Sequence, residues 1–136
     1  MTIRQRIAVI TLSVIIIIVA LASIWLLSPR AMFDTAGRIN LELIEKYVDG
    51  LREDITDDVD VDQIKTIISK LEFYKPSMQA VVDDTDKILY IVSLNYNAEQ
   101  WIIILGENNM AYKSTKESGH GIFNGQLLMD ALDCMS

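Results

Sequence analysis

The sequence predicts an α+β protein: an N-terminal transmembrane helix, then a small domain with two helices, a four-stranded antiparallel meander and a C-terminal helix. Three observations predict it. Residues 7–27 contain 21 consecutive residues without a charge. Between Ile44 and Leu71 apolar residues recur at helical spacing. After Pro76 the pattern changes to short runs rich in Val, Ile, Tyr and Trp, separated by Asp, Asn and Gly.

The organisation follows: a short cytoplasmic tail over 1–6, a transmembrane helix over 7–27 and an acidic extracytoplasmic domain over 28–136. At 1.5 Å per residue the uncharged run reaches about 30 Å, the thickness of the hydrocarbon core, so its partner is the lipid bilayer. Thr11, Ser13 and Ser23 are its only polar members, and a helix absorbs hydroxyls by bonding them back to its own carbonyls. Each central Ile, Leu or Val favours insertion by about 0.3–0.6 kcal/mol. In lipid the backbone must satisfy itself, which overrides the poor helix propensity of so many β-branched residues. The membrane-interface residues are Arg4 and Arg6 on one side and Trp25 and Arg30 on the other, with Pro29 marking the exit.

A cleaved signal peptide is the rival reading, because Ala20-Leu21-Ala22 makes an A-x-A pattern after an apolar stretch. The apolar run continues past it through Ile24–Leu27, which suits a spanning helix better. No Cys directly follows the run, so it is not a lipoprotein leader. Positive charge near the span is almost balanced. The immediate flank, with Arg4 and Arg6, and the short tail favour a cytoplasmic N-terminus and a periplasmic or extracellular domain.

Residues 31–136 carry 9 Lys or Arg against 19 Asp or Glu, a formal balance of −10. Phosphates repel such a surface, which excludes nucleic acid as a partner and anionic lipid as the domain's main partner. The single Cys134 cannot form an intramolecular bridge and is read as a buried, inert thiol on a helix.

Within the domain, Ile44, Tyr47, Val48, Leu51 and Ile55 predict a helix over Asp34–Asp54, weakened by Gly37 and Gly50. A second helix is capped by Asp60 with Gln63 three residues later, buries Val61, Ile64, Ile67, Ile68 and Leu71, and is closed by Pro76. Strands are predicted over Met78–Asp83, Lys87–Tyr96, Gln100–Leu105 and Asn109–Ser114. The turns between them are Asp83–Asp86, Asn95–Asn97 and Gly106–Asn109. Asn124–Cys134 closes the domain as a helix.

The central strands are apolar on both sides. Ile88, Tyr90, Val92, Leu94 and Tyr96 share one face while Leu89 and Ile91 take the other, and Trp101, Ile103 and Leu105 oppose Ile102 and Ile104. A sheet with one wet face alternates cleanly, so both faces here need a cover. Helices on both sides would supply it. A face left open would instead be an interaction surface, formed by Tyr90, Val92, Leu94, Tyr96, Trp101, Ile103 and Tyr112. The functional expectation is protein–protein interaction or self-association in the cell envelope, with an envelope protein or a second copy as partner. The alternative is a ligand-sensing or carrier domain with a cleft lined by Tyr90, Tyr96, Trp101 and Tyr112.

No catalytic, cofactor or metal site is expected. Asp58, Asp60 and Asp62 open like a calcium loop, but Gln63 stands where the turn needs Gly and Ser69 where a bidentate Glu belongs. Asp83, Asp84 and Asp86 read as turn residues. His120, in Glu117–Gly121, reads as part of a flexible connecting loop, and Ser118 beside it makes no triad, whose members meet through folding.

Overall fold

The run that predicts a membrane span is helical from Ile3 to Leu27 (α1) in the computed structural model, which describes residues 2–79, 87–116 and 118–135. Its 25 residues extend about 37 Å at 1.5 Å per residue, and none is buried. Thr2 and Gln5 form a capping box, so the helix starts before the uncharged run and takes Arg4 and Arg6 into its first turns. The Ser13 hydroxyl donates to the Val9 carbonyl at 2.8 Å, the back-bonding that lets a hydroxyl sit in an apolar helix. At the other end the Ser28 hydroxyl and N–H both donate to the Ile24 carbonyl, at 2.6 and 2.9 Å.

Only Ser28 and Pro29 separate α1 from the first strand, β1 (Arg30–Ala31). The helix expected over Asp34–Asp54 is instead a hairpin of β2 (Ile39–Val48) and β3 (Leu51–Asp54). The apparent helical spacing of Ile44, Val48, Leu51 and Ile55 straddles its two-residue turn. Asp49 and Gly50 have φ of 51° and 77°, the left-handed pair that this kind of hairpin demands. A register shift between Leu41 and Leu43 further disguises the period-two pattern.

The second helix, α2 (Val61–Lys70), is where its cap predicts: the Asp60 carboxylate accepts the Gln63 N–H at 3.3 Å. Pro76 does not close it. The helix stops at Leu71 and the chain enters β4 (Glu72–Gln79), where Pro76 falls in an irregular stretch between the pairs Phe73–Ile122 and Ser77–His120. The remaining elements are β5 (Ile88–Tyr96), β6 (Glu99–Gly106), β7 (Met110–Lys113), β8 (Ser118–Ile122) and α3 (Gln126–Met135). The four-stranded meander is therefore too small. Of its four predicted strands only three are consecutive neighbours, β5, β6 and β7; the first, at β4, pairs with β1 and β8 rather than with β5, inside an eight-stranded, fully antiparallel sheet of order β1-β4-β8-β7-β6-β5-β2-β3. The predicted strand Met78–Asp83 overlaps β4 at its first two residues, and the Asp83–Asp86 turn lies outside the described residues. Asn97 and Ala98 turn β5 into β6 with φ of 52° and 64°.

The loop expected around His120 is strand β8. A Cβ on Gly119 would collide with the Ala111 carbonyl oxygen of β7, so glycine is what permits this pairing.

Both domain helices pack on the same side. Ile64 and Ile68 of α2 and Leu128, Met129 and Leu132 of α3 join Ile44, Tyr90, Val92, Leu94, Trp101, Ile103 and Leu105 in one buried core. Phe33, just beyond β1, sits at its centre, edge-on to Phe73, Tyr96 and Trp101 with all three centroids at 5.3 Å. The opposite face has a smaller buried cluster, Ile88, Ile104 and Met110, shielded by Tyr47, Ile91, Ile102 and Tyr112 and by no helix among the described residues. Helices thus cover one face, not both. A register shift between Ile88 and Tyr90 moves Ile88 to the second face and leaves Leu89 bulged outward.

Candidate functional site

The predicted membrane-interface residues divide between two elements. Arg4 and Arg6 lie on the first turns of α1, Trp25 on its last, and Arg30 in β1, all exposed. Trp25 is not isolated. The Lys75 ammonium of β4 donates to the Trp25 carbonyl at 2.6 Å and stands 4.0 Å from its ring centroid.

The predicted interaction face is the core face of the sheet, and this corrects the expectation of an open surface there. Tyr90, Val92, Leu94, Tyr96, Trp101 and Ile103 are all buried beneath α2 and α3. Tyr112 is on the opposite face, paired with Ile102, and burial pushes its phenol pKa upward. Nor do the four aromatics line a common cleft. Tyr96 and Trp101 pack on Phe33, with the Tyr96 hydroxyl donating to Asp34 at 2.9 Å, while Tyr90 donates to Asp133 of α3 at 2.5 Å.

Exposed apolar surface instead falls at two other places. Outside α1, the large apolar residues exposed among the described ones are Val48, Leu51, Leu89, Tyr74, Phe123 and Leu127. Tyr74, Phe123 and Leu127 lie on β4, at the end of β8 and on the first turn of α3. Val48, Leu51 and Leu89 lie at the β2–β3 turn and at the β5 bulge beside it.

The second group borders a cleft of about 510 Å³ lined by Lys46, Tyr47, Val48, Asp49, Gly50, Ile88, Leu89, Tyr90 and Asp133. The hairpin turn builds one wall, the bulge directs Leu89 to it, and the Tyr90–Asp133 bond ties the sheet to α3 at its base. Lys46 and Asp49 give it charge of both signs. Ile39, at the other end of β2, pairs with Tyr96, which touches Phe33 close to the helix exit. The ten residues of β2 reach about 30 Å, so the cleft sits about that far from the Ile39–Tyr96 end of this strand pair.

Other candidate chemistry resolves into structure. Asp60 caps α2, and no group of three or more His, Cys, Asp or Glu among the described residues is arranged to hold a metal ion. His120 Nδ1 lies 2.9 Å from the Tyr74 carbonyl. Cys134 is on α3 as expected but exposed, not buried. The Asp54 carboxyl is held below its ordinary pKa by the Thr56 hydroxyl at 2.6 Å and the Thr56 N–H at 2.9 Å. That hook fastens the end of β3. No protein-family model matches the chain, and neither a curated protein nor a solved structure matches it.

Proposed function

We propose that this is a single-pass membrane protein with no catalytic role, whose acidic extracytoplasmic domain binds an envelope protein or a second copy of itself. The N-terminus stays in the cytoplasm in this reading. The observation that carries the anchor is α1 itself: among the described residues the one helix long and apolar enough to cross a membrane, with none of its residues buried. In water its apolar surface would cost about 25 cal/mol per Å², and lipid removes that cost.

The site best suited to a protein partner is the distal cleft rather than the sheet face expected from sequence. Leu89 and Val48 are 48% and 49% exposed in a lining that also offers Lys46 and Asp49, and Leu51, 75% exposed, directly follows Gly50 of that lining. Apolar side chains ringed by charge are the composition of a protein-binding patch. Its place at the far end of β2 and β5 holds it clear of the headgroups, where a partner has access.

Photo-crosslinking from position 89 in cells tests the reading, with position 65 of α2, outside the cleft lining, as control. Discrete adducts at 89 and none at 65 are expected. Monomer alone from both positions, with nothing copurifying, contradicts it.

A further inference from the structure

We infer that the β4 edge of the domain is seated on the bilayer surface, with Tyr74 and Phe123 forming an aromatic platform level with Trp25 and Lys75 clamping them to the helix. This rests on the reading of α1 as a membrane anchor. It adds that the domain lies on the lipid in one orientation rather than swinging from a tether.

The connection leaves almost no slack. Two residues, Ser28 and Pro29, span at most about 7 Å, and Ser28 is already bonded twice to Ile24. β1 then pairs with β4, Arg30 opposite Phe73 and Ala31 opposite Glu72. Because the pair is antiparallel, following β4 from Glu72 towards Ser77 leads back towards the helix. Lys75 accordingly meets Trp25, in the last turn of α1. If Trp25 is at the headgroup level, where an indole prefers to be, Lys75 is there too.

Tyr74 is the neighbouring residue, and its ring meets Phe123 edge-on at 5.9 Å. They are 36% and 59% exposed, whereas Phe33, Phe73, Tyr90, Tyr96 and Trp101 are all buried. Contacts to the main chain hold both: the Phe123 N–H donates to the Glu72 carbonyl at 2.8 Å, and the His120 side-chain Nδ1 lies 2.9 Å from the Tyr74 carbonyl. Two exposed aromatic rings, one on the residue beside the lysine that meets Trp25 and the other edge-on to it, repeat the aromatic belt that flanks membrane spans.

Charge agrees. Residues 39–62 hold nine acids (Glu42, Glu45, Asp49, Glu53, Asp54, Asp57, Asp58, Asp60, Asp62) against Lys46 and Arg52. They lie on β2 and β3, in the turn between them and in the segment leading into α2, and β2–β3 is the edge of the sheet opposite β1–β4. The β1–β4 edge offers Arg30 and Lys75 against the single acid Glu72. Nine acids against two bases, −7 of the domain's −10, are therefore placed towards the opposite edge, and the aromatic seat needs only zwitterionic lipid.

The test uses the full chain with Cys134→Ser in phosphatidylcholine nanodiscs, with one environment-sensitive fluorophore placed through Ile17→Cys, Phe123→Cys or Leu51→Cys. Lipids brominated on the acyl chain quench only a dye that touches them. Strong quenching at 17 and 123 with none at 51 is the expected pattern. Quenching at 17 but not at 123 overturns the seat while leaving the anchor intact, including the case where a second protein copy covers Phe123. Absence of quenching at 17 overturns the anchor, and the seat with it.

Discussion

Helix α1 and the β5–β6 core face are built from the same residues, chiefly Ile, Val, Leu and one Trp each, yet they meet opposite fates. Every core-facing residue from Tyr90 to Tyr96 and from Trp101 to Leu105 is buried by the chain itself, while no residue of α1 is. The difference is whether the sequence supplies a cover. Two amphipathic helices, α2 and α3, present Ile64, Ile68, Leu128 and Leu132 to the sheet. Among the described residues nothing in the domain presents a comparable surface to α1. Apolar content alone therefore does not locate an interface, because what counts is apolar surface left after the fold has closed.

The contrast breaks most drastically in the helix. Replacing Ile16 and Ile17 together by Arg places two charges mid-span at roughly 2.5–3.5 kcal/mol each on the insertion scale. The protein should move from the membrane pellet to the supernatant, with the domain's near-ultraviolet spectrum unchanged. On the sheet side, Phe33→Ala removes the ring on which Phe73, Tyr96 and Trp101 converge and should cost about 3–5 kcal/mol of unfolding free energy. Trp101→Ala should cost about the same. Urea titration of the detergent-solubilised chain measures both, and membrane association should be untouched.

Smaller changes sharpen the comparison. Leu89→Ser strips an apolar side chain from surface the fold leaves open, so stability should hold to within about 0.5 kcal/mol while adducts from a photo-crosslinker moved to position 48 disappear. A large loss of stability would mean that Leu89 belongs to the core. The smallest effect is electrostatic. Because the folded Asp54 carboxyl titrates below its unfolded value, its contribution is present above pH 3.8 and fades as pH falls through the lower folded pKa. An acid titration of stability should show this fading in the parent chain and a flatter profile in Asp54→Asn.

How much of this was legible beforehand differs by element. The α1 run, the Asp60 cap of α2, the apolar strands β5 and β6 and the closing helix all carry local signals strong enough to read. The β2–β3 hairpin resembles a helix in sequence because a bulge and a tight turn imitate helical spacing, although Asp49-Gly50 is itself a hairpin signature. Strands β1 and β8 escaped notice for want of a pattern: one has two residues, and Ser-Gly-His-Gly-Ile has almost no apolar alternation. The interaction surface was sought where apolar residues are densest, which is the core. Leu51, Leu89, Tyr74 and Phe123 are ordinary single residues in sequence. They become conspicuous only once the bulge at Leu89 and the pairing of β4 with β8 show which side chains nothing covers.

The permanence of the anchor is tested most directly by alkaline carbonate extraction of membranes containing the full chain, followed by N-terminal sequencing of the protein recovered. The expected result is a pelleted protein that retains residues 7–27. A carbonate-soluble polypeptide beginning at Ser23 would contradict it.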